Sequence, residues 1–158
     1  MKILISISDD NEHRHALETT GFWGKRGAGA LFLATDTKRF LFAHRSQHVE
    51  QPNTWGTWGG AIDSDESPKA ACLREIREEA GYELRVELKP IYVFRHPSGF
   101  EYHNFLAIVE EEFEPKLNWE TQGFSWVDYG DWPRPLHSGA KSLLNASKSY
   151  LLKAGTLC

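Results

Sequence analysis

The chain has 158 residues and a mass of 18.0 kDa, with 41% hydrophobic residues, 25% charged residues and a formal net charge of −4. That size suits one domain that buries a core without a disulfide or structural metal, and the hydrophobic content excludes global disorder. A mildly acidic balance gives no basic surface for duplex nucleic acid, although a short basic groove for a single nucleotide stays compatible with it.

Cys72 and Cys158 have neither disulfide-framework nor zinc-site spacing, so a reducing, cytoplasmic setting is the expectation. No apolar run approaches the roughly 18 residues of a membrane helix. Residues 1–8 meet Asp9 and Asp10 before a signal-peptide core is complete. No membrane partner is expected, and monomer and homodimer are both compatible with the sequence.

Taken in chain order, residues 3–7 alternate as a short strand. Residues 28–34 and 40–43 are apolar runs around a polar turn at 35–39, the pattern of a hairpin. Residues 52–60 read as a Gly/Trp loop. Ser67 and Pro68 suit the N-cap and first position of a helix over 68–80, and Gly81 suits its left-handed C-terminal residue. Strands are expected at 84–94, 102–109 and 124–127, and a final helix over 138–153 with Leu143, Leu144, Leu151 and Leu152 on its apolar face. One helix between strands and one after them predicts an α/β (α+β) fold, a mixed central sheet covered on both faces, in one domain spanning 1–158.

The segment 60–82 carries the chemistry. Glu75, Glu78 and Glu79, at i, i+3 and i+4, share a helix face, while Cys72, Leu73, Ile76 and Ala80 form an adjoining apolar stripe. Like charges at that spacing cost a few tenths of a kcal/mol per pair, which a bound divalent cation would remove. Mg²⁺ prefers hard oxygen ligands and joins carboxylates to phosphates. Taken alone, such a face is ordinarily a solvated one, and Arg74 with Glu78 an ordinary surface pair. Asp63 and Asp65 do not make an EF-hand, whose central Gly and terminal Glu are missing.

The complete pattern Gly60, Glu66, Arg74-Glu75, Ile76, Glu78-Glu79, Gly81, Tyr82 resembles the signature of the Nudix hydrolase family. Tyr82 stands where an aliphatic residue is usual, and Trp58 where many members have proline. The resemblance implies a Nudix-like α/β/α sandwich. It also implies a Mg²⁺- or Mn²⁺-dependent hydrolase that cleaves the diphosphate bond of a nucleoside diphosphate linked to another moiety. On that resemblance Glu75, Glu78 and Glu79 hold metal together with the carbonyl of Gly60, and Arg74 orients the carboxylates through ion pairs that include Glu66. Cations so held neutralise the diphosphate and activate water, and little covalent chemistry falls to the protein. The general base stays open between Glu75, Glu78 and Glu120, a glutamate on a later loop as in some members.

The substrate is less legible. Arg45 suits a phosphate contact or an ordinary surface position, and Trp55 and Trp58 suit nucleobase stacking or simple packing. Pro97 matches a position associated with ADP-ribose pyrophosphatases but equally a turn, and Tyr102 is near, not at, a position associated with dinucleoside polyphosphate hydrolases. ADP-ribose, a nucleotide sugar and an oxidised nucleoside triphosphate all remain candidates. His96, His103 and His137 read as structural, and Glu110–Glu112 as a solvated strand end. Two further readings are a non-catalytic nucleotide-binding module of the same fold and an isoprenoid diphosphate isomerase. The first would be expected to lack carboxylates that are all present here. The second needs an added cysteine, and Cys72 falls on the apolar stripe.

Overall fold

The structure, a computed structural model, describes residues 25–156, so the strand expected at 3–7 lies outside the described residues. The elements in order are β1 (Arg26–Ala34), β2 (Phe40–Arg45), β3 (Trp55–Gly56), β4 (Trp58–Ala61), α1 (Pro68–Glu75) continued by a wider turn (Ile76–Ala80), β5 (Glu87–Arg95), β6 (Glu101–Val109), β7 (Thr121–Val127), α2 (Ser138–Ala146) and α3 (Lys148–Thr156). The seven strands form one mixed sheet. β1 is central and runs parallel to β6 from Arg26 opposite Glu101 to Ala34 opposite Val109. It is apolar on both sides because both sheet faces are covered, which is why its sequence reads as a continuous run and not as an alternation.

Alternate β1 residues feed two cores. Ala28, Ala30, Phe32 and Ala34 pack with Ala71, Cys72, Ile76 and Ala80 of the acidic helix. Leu31 and Leu33 pack with Phe40, Phe42, Leu106, Leu143, Leu144 and Leu151 under α2 and α3. The expected sandwich, with the acidic helix on one face and the C-terminal helices on the other, is the observed one.

Three details depart from the expectation. Within the run 52–60 read as loop, residues 55–56 and 58–60 are strand, because Gly27–Ala30 of β1 pair with 58–61 and Ala43 and His44 of β2 pair with 55–56. β1 also pairs with β2, through Phe32 and Leu33, so the sheet forks where these two strands part and β3–β4 fills the fork. A glycine-rich run has no period-2 signal of its own, and only a distant partner makes it a strand. The acidic helix starts as expected, with the Ser67 hydroxyl accepting from the Ala70 N–H at 3.1 Å. It then widens to π-type turns from Ile76, and ends on Gly81 at φ 70°. The last helix breaks at Ser147, whose backbone (φ −112°, ψ 21°) leaves the helical region.

The fork is tight. A Cβ on Gly29 would stand 2.1 Å from the Tyr102 hydroxyl and 2.5 Å from the Trp58 carbonyl, and one on Gly59 would be as close to the same hydroxyl. Tyr102 therefore lies across a glycine floor that no other residue type would leave open. Gly29→Ala is expected to destabilise the fold by about 1–3 kcal/mol through overpacking. Adding Tyr102→Phe should recover part of that loss, because the hydroxyl clash disappears and the carbonyl clash stays. Urea unfolding of the three variants measures both effects.

Candidate active site

At the end of α1 the carboxylates of Glu75, Glu78 and Glu79 each place an oxygen within 4.8 Å of the others. Glu75 is fully buried and Glu79 nearly so, while Glu78 is half-buried. Repulsion among them is met by Arg74. Its guanidinium donates to both carboxylate oxygens of Glu66 at 2.7 Å, to Glu75 at 3.0 Å, to Glu78 at 3.4 Å and to the Ala61 carbonyl at 3.0 Å. Asp63 lies 3.5 Å away. The fork to Glu66 raises the Arg74 pKa above its ordinary value, so the cation is permanent. Glu66 also accepts from the Asp63 N–H at 3.0 Å, which closes the turn between β4 and α1 on the guanidinium. One helix turn away, burial and the Glu75 charge push the Cys72 thiol up to about 12, leaving it a neutral core residue.

Glu79 is held differently. The Asn118 side-chain N–H donates to its carboxylate at 3.1 Å, from a loop 39 residues further along. All donors of the cluster are carboxylate oxygens, two of them on buried residues, which fits a hard dication and not a soft one.

The cluster borders a cleft of two lobes. A cavity of about 410 Å³ on the acidic-helix face is lined by Arg45, His48, Val49, Trp58, Glu79, Trp119 and Glu120 among others. A second, of about 480 Å³ on the α2 face, is lined by Gly60, Phe94, Phe100, Tyr102, Asn104, His137 and the first residues of α2. Arg45, Glu50, Thr57 and Gly59 line both, so the lobes meet at the fork of the sheet. Arg45 donates to the Glu50 carbonyl, and burial lowers its pKa, an effect that the charges of Glu120 and Glu50 oppose.

Of the residues singled out in the sequence, Glu75, Glu78, Glu79 and Arg74 form one cluster, Gly60 lies at the cleft wall on β4, and Glu120 and Arg45 face one cavity with Glu79. Trp58 is only 4% exposed and its indole packs edge-on against Phe32, 5.9 Å between ring centres. The exposed indole beside the site is Trp119, at 66%. Pro97 occupies the turn between β5 and β6, where the Gly99 N–H donates to the His96 carbonyl at 2.9 Å. Asn118, Trp119 and the cleft position of His137 carry no signal in the sequence, since each comes to the site by long-range packing.

His137 caps α2, its Nδ1 accepting from the Gly139 N–H at 2.9 Å. Burial, and then the positive charge of Arg45, push its pKa down to about 4. In the unfolded chain the imidazole protonates near its reference value of about 6.5. The depressed native value means that the neutral ring contributes its full stability above about pH 6.5, and that this is lost as pH falls toward 4. The expected outcome is a wild-type urea midpoint that drops between pH 6.5 and 4 more steeply than that of His137→Asn, which keeps an N-cap acceptor without the titration.

The family model for the NUDIX domain matches residues 24–146. A protein of Mycobacterium tuberculosis named putative 8-oxo-dGTP diphosphatase 3 is 33% identical over 129 residues, covering 75% of this chain and 59% of its own length. The dihydroneopterin triphosphate diphosphatase of Haemophilus influenzae is 30% identical over 114 residues, 61% of this chain and 70% of that one. This chain thus spans about three-fifths of the length of the mycobacterial relative. Among solved structures, a Nudix hydrolase from M. smegmatis superposes with a TM-score of 0.64 at 25% identity, covering 87% of this chain and 91% of the other. The MutT NUDIX hydrolase of Burkholderia pseudomallei gives 0.60 at 25% identity, with 78% and 97% covered. The matched span holds the forked sheet, the acidic helix and both lobes of the cleft, and the chain belongs to the NUDIX domain family.

Proposed function

We propose that this chain is a divalent-metal-dependent pyrophosphohydrolase that cleaves a diphosphate bond of a nucleotide, with water as the attacking group. The observation that carries the reading is the convergence of three carboxylates, oxygens within 4.8 Å, one of which, Glu79, lines a cleft that also presents Arg45. Glu75, Glu78 and Glu79, with the Gly60 carbonyl as a further ligand, would hold Mg²⁺ or Mn²⁺. Such an ion, when bound, supplies charge neutralisation at the diphosphate and a lowered pKa for an attacking water.

The chain's own residues do the rest. Arg74 fixes Glu75 and Glu78 so that their oxygens converge before substrate arrives, which lowers the reorganisation needed at reaction. Arg45 sits where the lobes join and binds the phosphates between them. The nucleoside takes the α2-face lobe, whose walls carry Phe94, Phe100 and Tyr102. Glu120 faces Glu79 across the other lobe and accepts the proton of the attacking water. Trp58 contributes as cleft wall, its indole stiffening β4 from below.

Two relatives are named for 8-oxo-dGTP and dihydroneopterin triphosphate. Both compounds join a triphosphate, through a sugar or a short polyol chain, to a bicycle that contains a 2-amino-4-oxopyrimidine ring, and that chemistry supports a triphosphate of such a bicyclic base as the substrate here. A panel with Mg²⁺ and with Mn²⁺ tests it, setting these two compounds against ADP-ribose, a nucleotide sugar, a dinucleoside polyphosphate and the ordinary triphosphates. The expected outcome is faster release of monophosphate and pyrophosphate from the two bicyclic compounds, abolished by EDTA and restored by Mg²⁺. Preference for ADP-ribose or a nucleotide sugar would reassign the substrate. Glu78→Gln and Glu79→Gln should each lower kcat/KM by about 10²-fold or more, the upper range seen on disturbing the surroundings of a metal site. Full activity in both would remove the metal-dependent reading itself.

A further inference from the structure

Asn118 ties the acidic helix to the loop carrying Trp119 and Glu120, and both ends of its amide take part. The Nδ2 group donates to Glu79 at 3.1 Å. The Oδ1 atom accepts from the Glu120 N–H at 2.8 Å and from the Thr121 N–H at 3.2 Å. The same loop is fixed on two other sides. The Lys116 N–H donates to the Ala80 carbonyl at 2.9 Å, at the end of the helix, and the Ser46 N–H donates to the Glu120 carbonyl at 2.8 Å, at the end of β2. The loop is thus a strut between the helix and the edge of the cleft, with Asn118 as its joint.

We propose that Asn118 is a positioning residue of the metal centre. Its amide occupies one oxygen of Glu79 and so turns the other toward Glu75 and Glu78, while its carbonyl sets the backbone from which Glu120 faces the same cavity. The inference rests on the metal-binding reading above. It explains why Glu79, the carboxylate of the cluster that Arg74 does not reach, still has a fixed orientation. A neutral donor suits this position because it orients the carboxylate without adding a second cation that would compete with the metal for its charge.

Two variants separate this role from a merely structural one. Asn118→Ser keeps a short acceptor for the Glu120 and Thr121 amides but cannot span to Glu79, whereas Asn118→Ala removes both functions. The primary readout is Mn²⁺ affinity of the protein without substrate, by electron paramagnetic resonance titration, alongside the thermal midpoint of the metal-free protein. Asn118→Ser is expected to weaken Mn²⁺ binding about 10-fold, within the range for outer partners of metal ligands, with the metal-free midpoint nearly unchanged. In a Glu79→Gln background the same substitution should add almost nothing, since the two residues act as one unit. Mn²⁺ affinity within twofold of wild type in Asn118→Ser, or fully additive losses in the double variant, would overturn the proposal. If Asn118→Ser folds poorly, the cycle of wild type, Asn118→Ala, Glu79→Gln and Glu79→Gln/Asn118→Ala still gives the non-additivity. Because the readout uses no nucleotide, a wild-type protein that binds Mn²⁺ but hydrolyses none of the panel would sink the proposed activity and leave this inference standing.

Discussion

Arg74 reaches Asp63, Glu66, Glu75 and Glu78 from one position, and the acidic end of the fold is organised around that reach. Folding has to bring Glu75 out of water altogether, and a buried carboxylate is tolerable only beside a cation with well-aligned donors. Removing one member of such a buried pair typically costs about 3–5 kcal/mol. The planar fork matters as much as the charge. It binds both oxygens of Glu66 on one edge and still offers a nitrogen to Glu75 and Glu78 on the other, which a lysine ammonium does not match. The turn between β4 and α1, the start of the helix and the carboxylate cluster are therefore fixed by one side chain.

The second organising constraint is the fork in the sheet. Because β1 pairs with β2 at one end and with β4 at the other, the strands part, and the short β3–β4 segment crosses between them. The cleft lies at this crossing, with Thr57 at the break between the two short strands. β3 also anchors the start of α2, since the Trp55 N–H donates to the Pro135 carbonyl at 2.9 Å and the His137 N–H donates to the Trp55 carbonyl at 2.8 Å. Thus the helix on one face and the acidic cluster on the other meet the cleft through the same few residues.

Local signals in the sequence are enough for the hairpin, for the capped acidic helix and for the shared face of Glu75, Glu78 and Glu79, because caps and periodicity act over three or four residues. Features that depend on distant pairing are not legible. The glycines at 59 and 60 become strand only by lying against β1, and Ser147 breaks a helix whose apolar spacing reads as continuous. Trp58 packs on Phe32 in the register Ala30 opposite Trp58 and still lines the acidic-helix lobe, while Trp119 takes the exposed position beside it, a division that local spacing does not show. Asn118 carries no signal at all, since an asparagine in a polar loop reveals its partner only after the loop has docked on the helix.

The alternation along β1 makes the two faces of the sheet independent of each other. Ala28, Ala30 and Phe32 touch the acidic-helix side, and Gly27 and Gly29 with Leu31 touch the other. Side chains on opposite faces of a strand do not pack against each other. Replacements in the lobe under α2 can therefore change its shape without touching the carboxylates across the sheet, and among the described residues Arg45, Glu50, Thr57 and Gly59 line both lobes. A side chain can be exchanged on one face of this sheet without altering the packing on the other.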